Sequence, residues 1–441
     1  MILECDLVVI GAGMAGLSAA GWAAERGAKV VVIEKAPDIG GSAILSGGVL
    51  WTATSPEMMQ LHGRGQPSLA RTIFEEYPVA IEWLRSRGIE MTPAMGVLHG
   101  RGYQIDIQGH FEDCRSLVAH HEGHVVVGTT TTALLTGEGG RVLGARTSHP
   151  DGEIDVRAGW TMLATGGYQG SPELRARYIH ENARDMRLRS NTASTGDALR
   201  LAGPAGAEVR GTNPGFYGHL VSDSPEWGDP RLFTMLTQYH SDHALLFNEA
   251  GYRFCDESLG DHTNTYHTVP QPHGRALCFW DARVQADHAT QPLINAVVPM
   301  DKIATALAYG GKGVAGATLE EVAAFASGHG FHGSQLLKSI REYNELARTG
   351  WEKISPPRAQ NCGALDTAPF YALIVHPAIT CTYGGLSVDA DARVLKPDGA
   401  PVPGLLAAGA DAGDAFGIGY AGGLALAMAF GLRGAKTAGW R

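Results

Sequence analysis

The sequence is short of the features that mark several large classes. Its six cysteines are scattered, with no C-x-x-C pair, which argues against a zinc ribbon or a disulfide framework and fits a reducing compartment. Basic charge is in the minority. Thirty-five Lys and Arg stand against 45 Asp and Glu, a net charge of −10. No basic footprint for a nucleic-acid partner is therefore expected. Long apolar runs are missing as well. The most apolar late stretch, Ala415–Gly431, is glycine-rich and shorter than the ~20 residues of a membrane span. The start of the chain enters a strand without a charged leader, so no signal peptide and a cytoplasmic location are expected.

What the sequence has in abundance is glycine, 59 in 441 residues, spread without a period. That pattern suits many close backbone approaches around a large cofactor. The length suits roughly two or three domains. The first 35 residues read as strand, turn, helix, strand. Leu7–Ile10 is a β-branched apolar run, Gly11-Ala-Gly-Met-Ala-Gly16 is the turn, and Lys29–Ile33 is the second strand, ending at Glu34 and Lys35. Further strands are expected at His124–Gly128, Thr161–Thr165, Gly384–Val388 and Gly404–Gly409. Helical pattern is expected over Gly167–Gly215, from Thr318, over Ser334–Ala347 and over Leu424–Arg433. The α/β class follows: a Rossmann-like domain from residues 1–215 and 379–441, with an inserted α+β capping domain at 216–378.

The chemistry sits in the first turn. Gly11 permits the tight turn, Gly13 lets backbone approach a pyrophosphate, and Gly16 lets the helix pack on the strand. The phosphates rest on the helix start at Met14 and Ala15, and Glu34 accepts from ribose hydroxyls. Gly311–Gly316 and Gly417–Gly422 also match G-x-G-x-x-G. The former lacks a preceding strand and reads as a loop. Between NAD and FAD, the loop Ile39–Gly48 and the two glycine-rich stretches near the end favour FAD, a cofactor met by both ends of the sequence. The helix from Leu424 aims its positive end at the flavin C2 carbonyl.

These segments, together with Gly40-Gly41-Ser42, Ala164-Thr-Gly-Gly167, Gly196-Asp197, Phe247–Glu257 and Pro403–Gly409, resemble in order the FAD-dependent fumarate reductase/succinate dehydrogenase flavoprotein superfamily, which includes the 3-ketosteroid dehydrogenases. The resemblance implies a FAD domain, a capping domain, and an active site where the two meet. The implied cofactor contacts are Gly11, Gly13, Met14, Ala15, Gly16, Glu34, Lys35, Gly41, Ser42, Ser46, Gly47, Gly48, Thr165, Gly166, Asp197, Gly409, Asp411, Gly422 and Leu424. Where some members carry a histidine that bonds the flavin, Gly41 stands here, so noncovalent FAD is expected.

Where relatives place an arginine or tyrosine for proton transfer, this chain has Asp261, followed by His262. The dicarboxylate-binding His and Arg of fumarate reductases are replaced around Thr380–Gly385 and Gly419–Leu424. Tyr420 resembles the tyrosine of Y-S-S-G-L-S-L in ketosteroid dehydrogenases. The expectation is a dehydrogenase that desaturates a C–C bond beside a ketone. Asp261 is its base, His262 the partner or alternative base, and Tyr420 the donor to the ketone oxygen. The alternatives are a flavin-dependent reductase of an activated alkene and a non-catalytic flavin-binding protein. The partners are a small-molecule substrate and an unidentified electron acceptor. Metal is not expected, since His240-x-x-His243 lacks a third ligand and His120, His121 and His124, before a strand, read as solvated.

Overall fold

The computed structural model describes residues 2–210, 213–225, 227–291 and 299–441. They form two compact units, one from residues 1–179, 190–216 and 381–441, the other from residues 180–189 and 217–380.

The first unit is built on an eight-stranded sheet. Its parallel strands run in the order Pro401–Ala407, Gly152–Leu163, Ile2–Ile10, Val30–Ile33 and His124–Val126. Leu7, Val8, Val9 and the Val30–Ile33 run are buried because both faces of a parallel sheet are covered, which calls for continuous β-branched sequence rather than alternation. Helices Met14–Glu25, Ile107–His120 and Gly423–Thr437 supply part of that cover. The indole Nε1 of Trp22 donates to the Trp440 carbonyl at 2.9 Å, pinning the last residues onto the first helix.

The second unit contains a six-stranded sheet centred on Phe370–Thr382, which pairs with Arg187–Leu188, Phe216–Ser222, Ala276–Asp281 and Gly313–Gly316. Its core joins Leu245–Phe247, Ala276–Trp280 and Ala372–Val375 to the apolar faces of helices Leu319–Gly328 and Gly333–Thr349. Thr318 caps the first of these, accepting from Glu321 N at 3.2 Å, while Glu321 reaches back to Ala317 N at 2.9 Å. This arrangement is close to the reciprocal box that the spacing suggests.

The fold is the expected α/β class, a Rossmann-like parallel sheet plus an α+β unit. Some elements differ from expectation. Gly313–Gly316 is a strand rather than a loop, because its backbone completes the edge ladder with Phe370–Leu373. Gly384–Val388 makes only isolated bridges, at Leu386 and Val388, since the backbone at Gly385 packs tightly against residues 411–413. Among the described residues of 167–215, only Pro172–Tyr178 and Asp197–Ala202 are α-helical. The segment between them turns on local side-chain bonds such as Asn191 Oδ1 to Ala193 N, 2.6 Å. Among the described residues, no helix is long and apolar enough to cross a membrane.

Candidate active site

In the first unit the strand Ile2–Ile10 delivers the chain to the glycine turn. Gly11 has φ +108°, and a Cβ on it would lie 2.2 Å from the Ala164 carbonyl. A Cβ on Gly16 would lie 1.9 Å from the Gly11 carbonyl, so helix and strand meet only with hydrogen there. At Gly13 such a Cβ would make only ordinary contacts, with the Gly40 carbonyl and Gly41 Cα at 4.0 Å, so the backbone at the helix start is uncrowded. The helix Met14–Glu25 has neither a side-chain cap nor an acid in its first turn, so its leading N–H groups keep their positive end for an anion.

Glu34 is buried, and its carboxylate accepts from Ala12 N and Ala36 N, both at 2.8 Å. Each oxygen keeps a further lone pair for a hydroxyl donor. Lys35 pairs with Asp197 at 2.5 Å and donates to Thr195 at 2.8 Å. Ser42 Oγ lies 2.7 Å from Ser190 Oγ and accepts from Asn191 Nδ2 at 2.9 Å. Ser46 folds back on its own turn, bonding the Ala43 carbonyl at 2.7 Å and Gly48 N at 3.2 Å. Gln169 Nε2 holds the Gly166 carbonyl at 2.9 Å, and its buried Oε1 has no partner among the described residues. Ser190, Asn191 and Gln169 were not singled out from the sequence, because small polar residues in a loop carry no periodic signal.

Asp411 is buried and accepts from Thr165 N, from Thr165 Oγ1 at 3.1 Å and from Gly167 N at 3.1 Å. Burial pushes its carboxyl up to about 6, with those N–H bonds acting against the rise. Asp411 thus fixes the Thr165–Gly167 turn. Gly422 precedes the helix Gly423–Thr437, on whose first turn Leu424 sits. The Tyr420 hydroxyl accepts from Gly423 N at 2.8 Å and so closes that helix start, with its ring against Trp51 and Phe416. Together the uncrowded backbone at Gly13, the uncapped helix and a Gln169 acceptor with no partner among the described residues fit a dinucleotide carrying a polar ring system.

In the second unit Asp261 is the first residue of the helix Asp261–Thr268 and is buried. Its carboxylate is shared by His219 Nδ1 and Leu220 N, the latter at 3.1 Å. Burial, then the Arg189 charge, push His219 down to about 4, so its ring is neutral near pH 7. With Nδ1–H donating to Asp261, the lone pair is on Nε2. His219 lies edge-on to Tyr217 and Tyr239, and the half-buried His262 lies beside Tyr217.

The segment leading to Asp261 is held by a buried charge cluster. Glu257 accepts from Arg253 at 2.9 and 2.5 Å, from Arg358 at 3.1 Å and from Leu246 N at 3.0 Å. His219 went unread in the sequence. A lone histidine in an apolar strand carries no signal until the strand's partner is known. No cluster of three or more metal-ligating side chains occurs among the described residues.

A family profile described as "FAD binding domain" matches residues 6–425. The chain is 27% identical over 453 residues to the urocanate reductase of Eggerthella lenta, a match covering 94% of this chain and 71% of that protein. It is 29% identical over 329 residues to the 4-oxocyclohex-2-ene-1-carboxylate 5-dehydrogenase of Sinomonas cyclohexanicum, covering 69% of this chain and 54% of that one. Among solved structures, the 3-ketosteroid delta1-dehydrogenase of Sterolibacterium denitrificans superposes with a TM-score of 0.79 at 17% identity, over 99% of this chain and 100% of that one.

Proposed function

We propose a reaction and a set of acting residues for a chain that belongs to the FAD binding domain family. The protein is a FAD-dependent oxidoreductase acting on CH–CH groups. The reading advanced here is desaturation of a C–C bond adjacent to a ketone in a cyclic substrate. The observation that carries it is the buried His219–Asp261 pair, a neutral imidazole held by a carboxylate.

Bound FAD supplies the two-electron acceptor for the hydride leaving the β carbon. The chain's own residues handle the proton. His219 Nε2 takes the proton from the α carbon. Asp261 holds Nδ1–H, keeps the tautomer and balances the imidazolium charge that forms. Asp261 thereby acts as a positioning residue rather than as the base itself, with Leu220 N–H fixing its second oxygen. Tyr420 is read as the donor to the ketone oxygen, since an N–H at the positive helix end polarises its hydroxyl. His262 is read as a neighbour of the pair. The cofactor is held by the Gly11–Gly16 turn, Glu34, Ser42 and the Thr165–Gly167 turn that Asp411 fixes, noncovalently since Gly41 offers no side chain to bond.

The name of the Sinomonas relative, a dehydrogenase of a cyclic ketone, supports this reading. The urocanate reductase supports the reverse direction, in which the same pair delivers a proton to an activated alkene.

The test is anaerobic mixing of the FAD-loaded enzyme with saturated cyclic ketones, following flavin bleaching and product. Bleaching with enone formation is the expected result. Absence of bleaching, with reoxidation of chemically reduced enzyme by enones or unsaturated acids, would replace it with the reductase reading.

A further inference from the structure

The second unit holds a positive charge that no carboxylate among its described residues pairs with. Arg189 is anchored by its backbone N–H to the Ile379 carbonyl at 2.8 Å, so its place on the sheet edge is fixed. Among the described residues its guanidinium meets two hydroxyls, Nη2 to Tyr239 Oη at 3.2 Å and Nη1 to Thr380 Oγ1 at 3.4 Å, and stands over the Phe233 ring at 6.0 Å. Nε is buried with no partner among the described residues, and no carboxylate pairs with the group there.

Lys302 is a buried cation near the half-buried Arg189. It donates to the carbonyls of Thr234 and Met235, at 2.8 and 3.3 Å, and lies 5.3 Å from the centre of the Tyr239 ring. The same ring stands 5.3 Å from that of His219. Burial, then Arg189, hold Lys302 down to about 8, leaving it largely charged near neutrality. The one carboxylate felt by this group is Asp261, and it is committed to His219 and Leu220. Among the described residues, the half-buried Arg189 and the buried Lys302 therefore meet a single carboxylate, an arrangement that favours a further anion beside them.

We propose that Arg189, with the Tyr239 hydroxyl beside it, binds a carboxylate of the substrate, so that the enzyme acts on carboxylate-bearing ketones rather than on neutral ones. The guanidinium fork suits a planar two-oxygen anion, and hydroxyl neighbours leave it without a competing internal acid. A carboxylate at Arg189 also offsets one of the charges that lower the basicity of His219, so the correct substrate strengthens its own base. This assignment rests on the His219–Asp261 reading only for the reaction that follows. The anion site stands or falls by binding.

The experiment is a titration of the oxidised, FAD-loaded enzyme with cyclohexanecarboxylate and with its methyl ester, read by the flavin absorption spectrum. It is repeated in Arg189→Met and Arg189→Lys, with FAD content measured in each. The acid is expected to bind the wild type at least about tenfold more tightly than the ester, the size of one charge-assisted pair. Arg189→Met is expected to erase that preference with FAD retained, and Arg189→Lys to keep part of it. Equal affinity for acid and ester in the wild type, or an intact preference in Arg189→Met, overturns the site. Should Arg189→Met fail to hold FAD, the Arg189→Lys comparison and the wild-type ratio decide. A clear acid preference without turnover of any keto acid would sink the dehydrogenase reading and leave the anion site standing.

Discussion

In the proposed reaction His219 and Asp261 divide one task between two side chains, and single substitutions separate the parts. His219→Gln removes the lone pair, and Asp261→Asn offers an amide N–H where Nδ1–H needs an acceptor. Each is expected to lower kcat/KM by about 10²-fold or more with FAD content unchanged. Full turnover in both would remove the pair from the reaction. The pH profile adds a sign. Because burial and Arg189 hold the free ring near 4, kcat/KM in the wild type should stay flat as pH falls from 8 to 5 and drop only below that. An ordinary histidine near 6.5 would lose activity a good deal earlier. Asp261 was legible in the sequence from the position it shares with proton-transfer residues of the resembled family. His219 was not. It sits on the strand Phe216–Ser222, and only the packing of that strand against the helix starting at Asp261 joins the two. Ser190 and Asn191 were hidden for the same reason, since their contacts with Ser42 are long-range, while Gln169 bonds Gly166 three residues away in a loop whose polar residues show no period.

At the scale of elements the glycine turn offers a paired test. A methyl group at position 16 would collide with the Gly11 carbonyl, a backbone atom, whereas a methyl at position 13 meets nothing closer than 4.0 Å. Gly16→Ala is therefore expected to abolish soluble, flavin-loaded protein. Gly13→Ala is expected to fold with a melting temperature within about 2 °C of the wild-type apoprotein, yet to bind FAD at least about tenfold more weakly, because the methyl takes the space above the helix start. Equal FAD affinity in Gly13→Ala would show that the cofactor does not use that space. The turn was readable because its glycines, helix and flanking strands are consecutive. Gly313–Gly316 was misread because a glycine-rich edge strand shows no alternation and is defined by its neighbour, Phe370–Leu373. The long strand Phe370–Thr382 and the helix Pro67–Ser86 also went unread, each because it continues through an internal proline, Pro377 and Pro78, that normally interrupts its pattern.

For the molecule as a whole, three buried histidines set a limit on acid tolerance. His110 and His219 are held near 4 and His240 near 3, all chiefly by burial. In the unfolded chain each titrates near 6.5. Folded values below unfolded ones mean that the stabilisation is complete above about 6.5 and is lost as pH falls, since the unfolded state then binds protons that the native state refuses. Between pH 6 and 5 the three together are expected to cost about 4 kcal/mol per pH unit. A melting temperature that declines steeply over that interval, before most carboxylates titrate, is the expected outcome. A flat profile from 7 to 5 would show that these rings are not kept neutral.

The sheet of the first unit has a consequence for how the protein comes into being. Its central strand, Ile2–Ile10, is synthesised about 400 residues before Pro401–Ala407, which completes the parallel array, and Gly423–Thr437, which covers the first helix. At ribosomal speeds of about 5–20 residues per second, the early glycine turn waits on the order of 20–80 s for those partners. During that interval the second unit can fold, while the nascent cofactor cradle is open and its apolar strands are exposed to chaperones. Capture of FAD is thus placed among the last events of biogenesis, and a ribosome stalled before residue 401 should carry a chain without flavin.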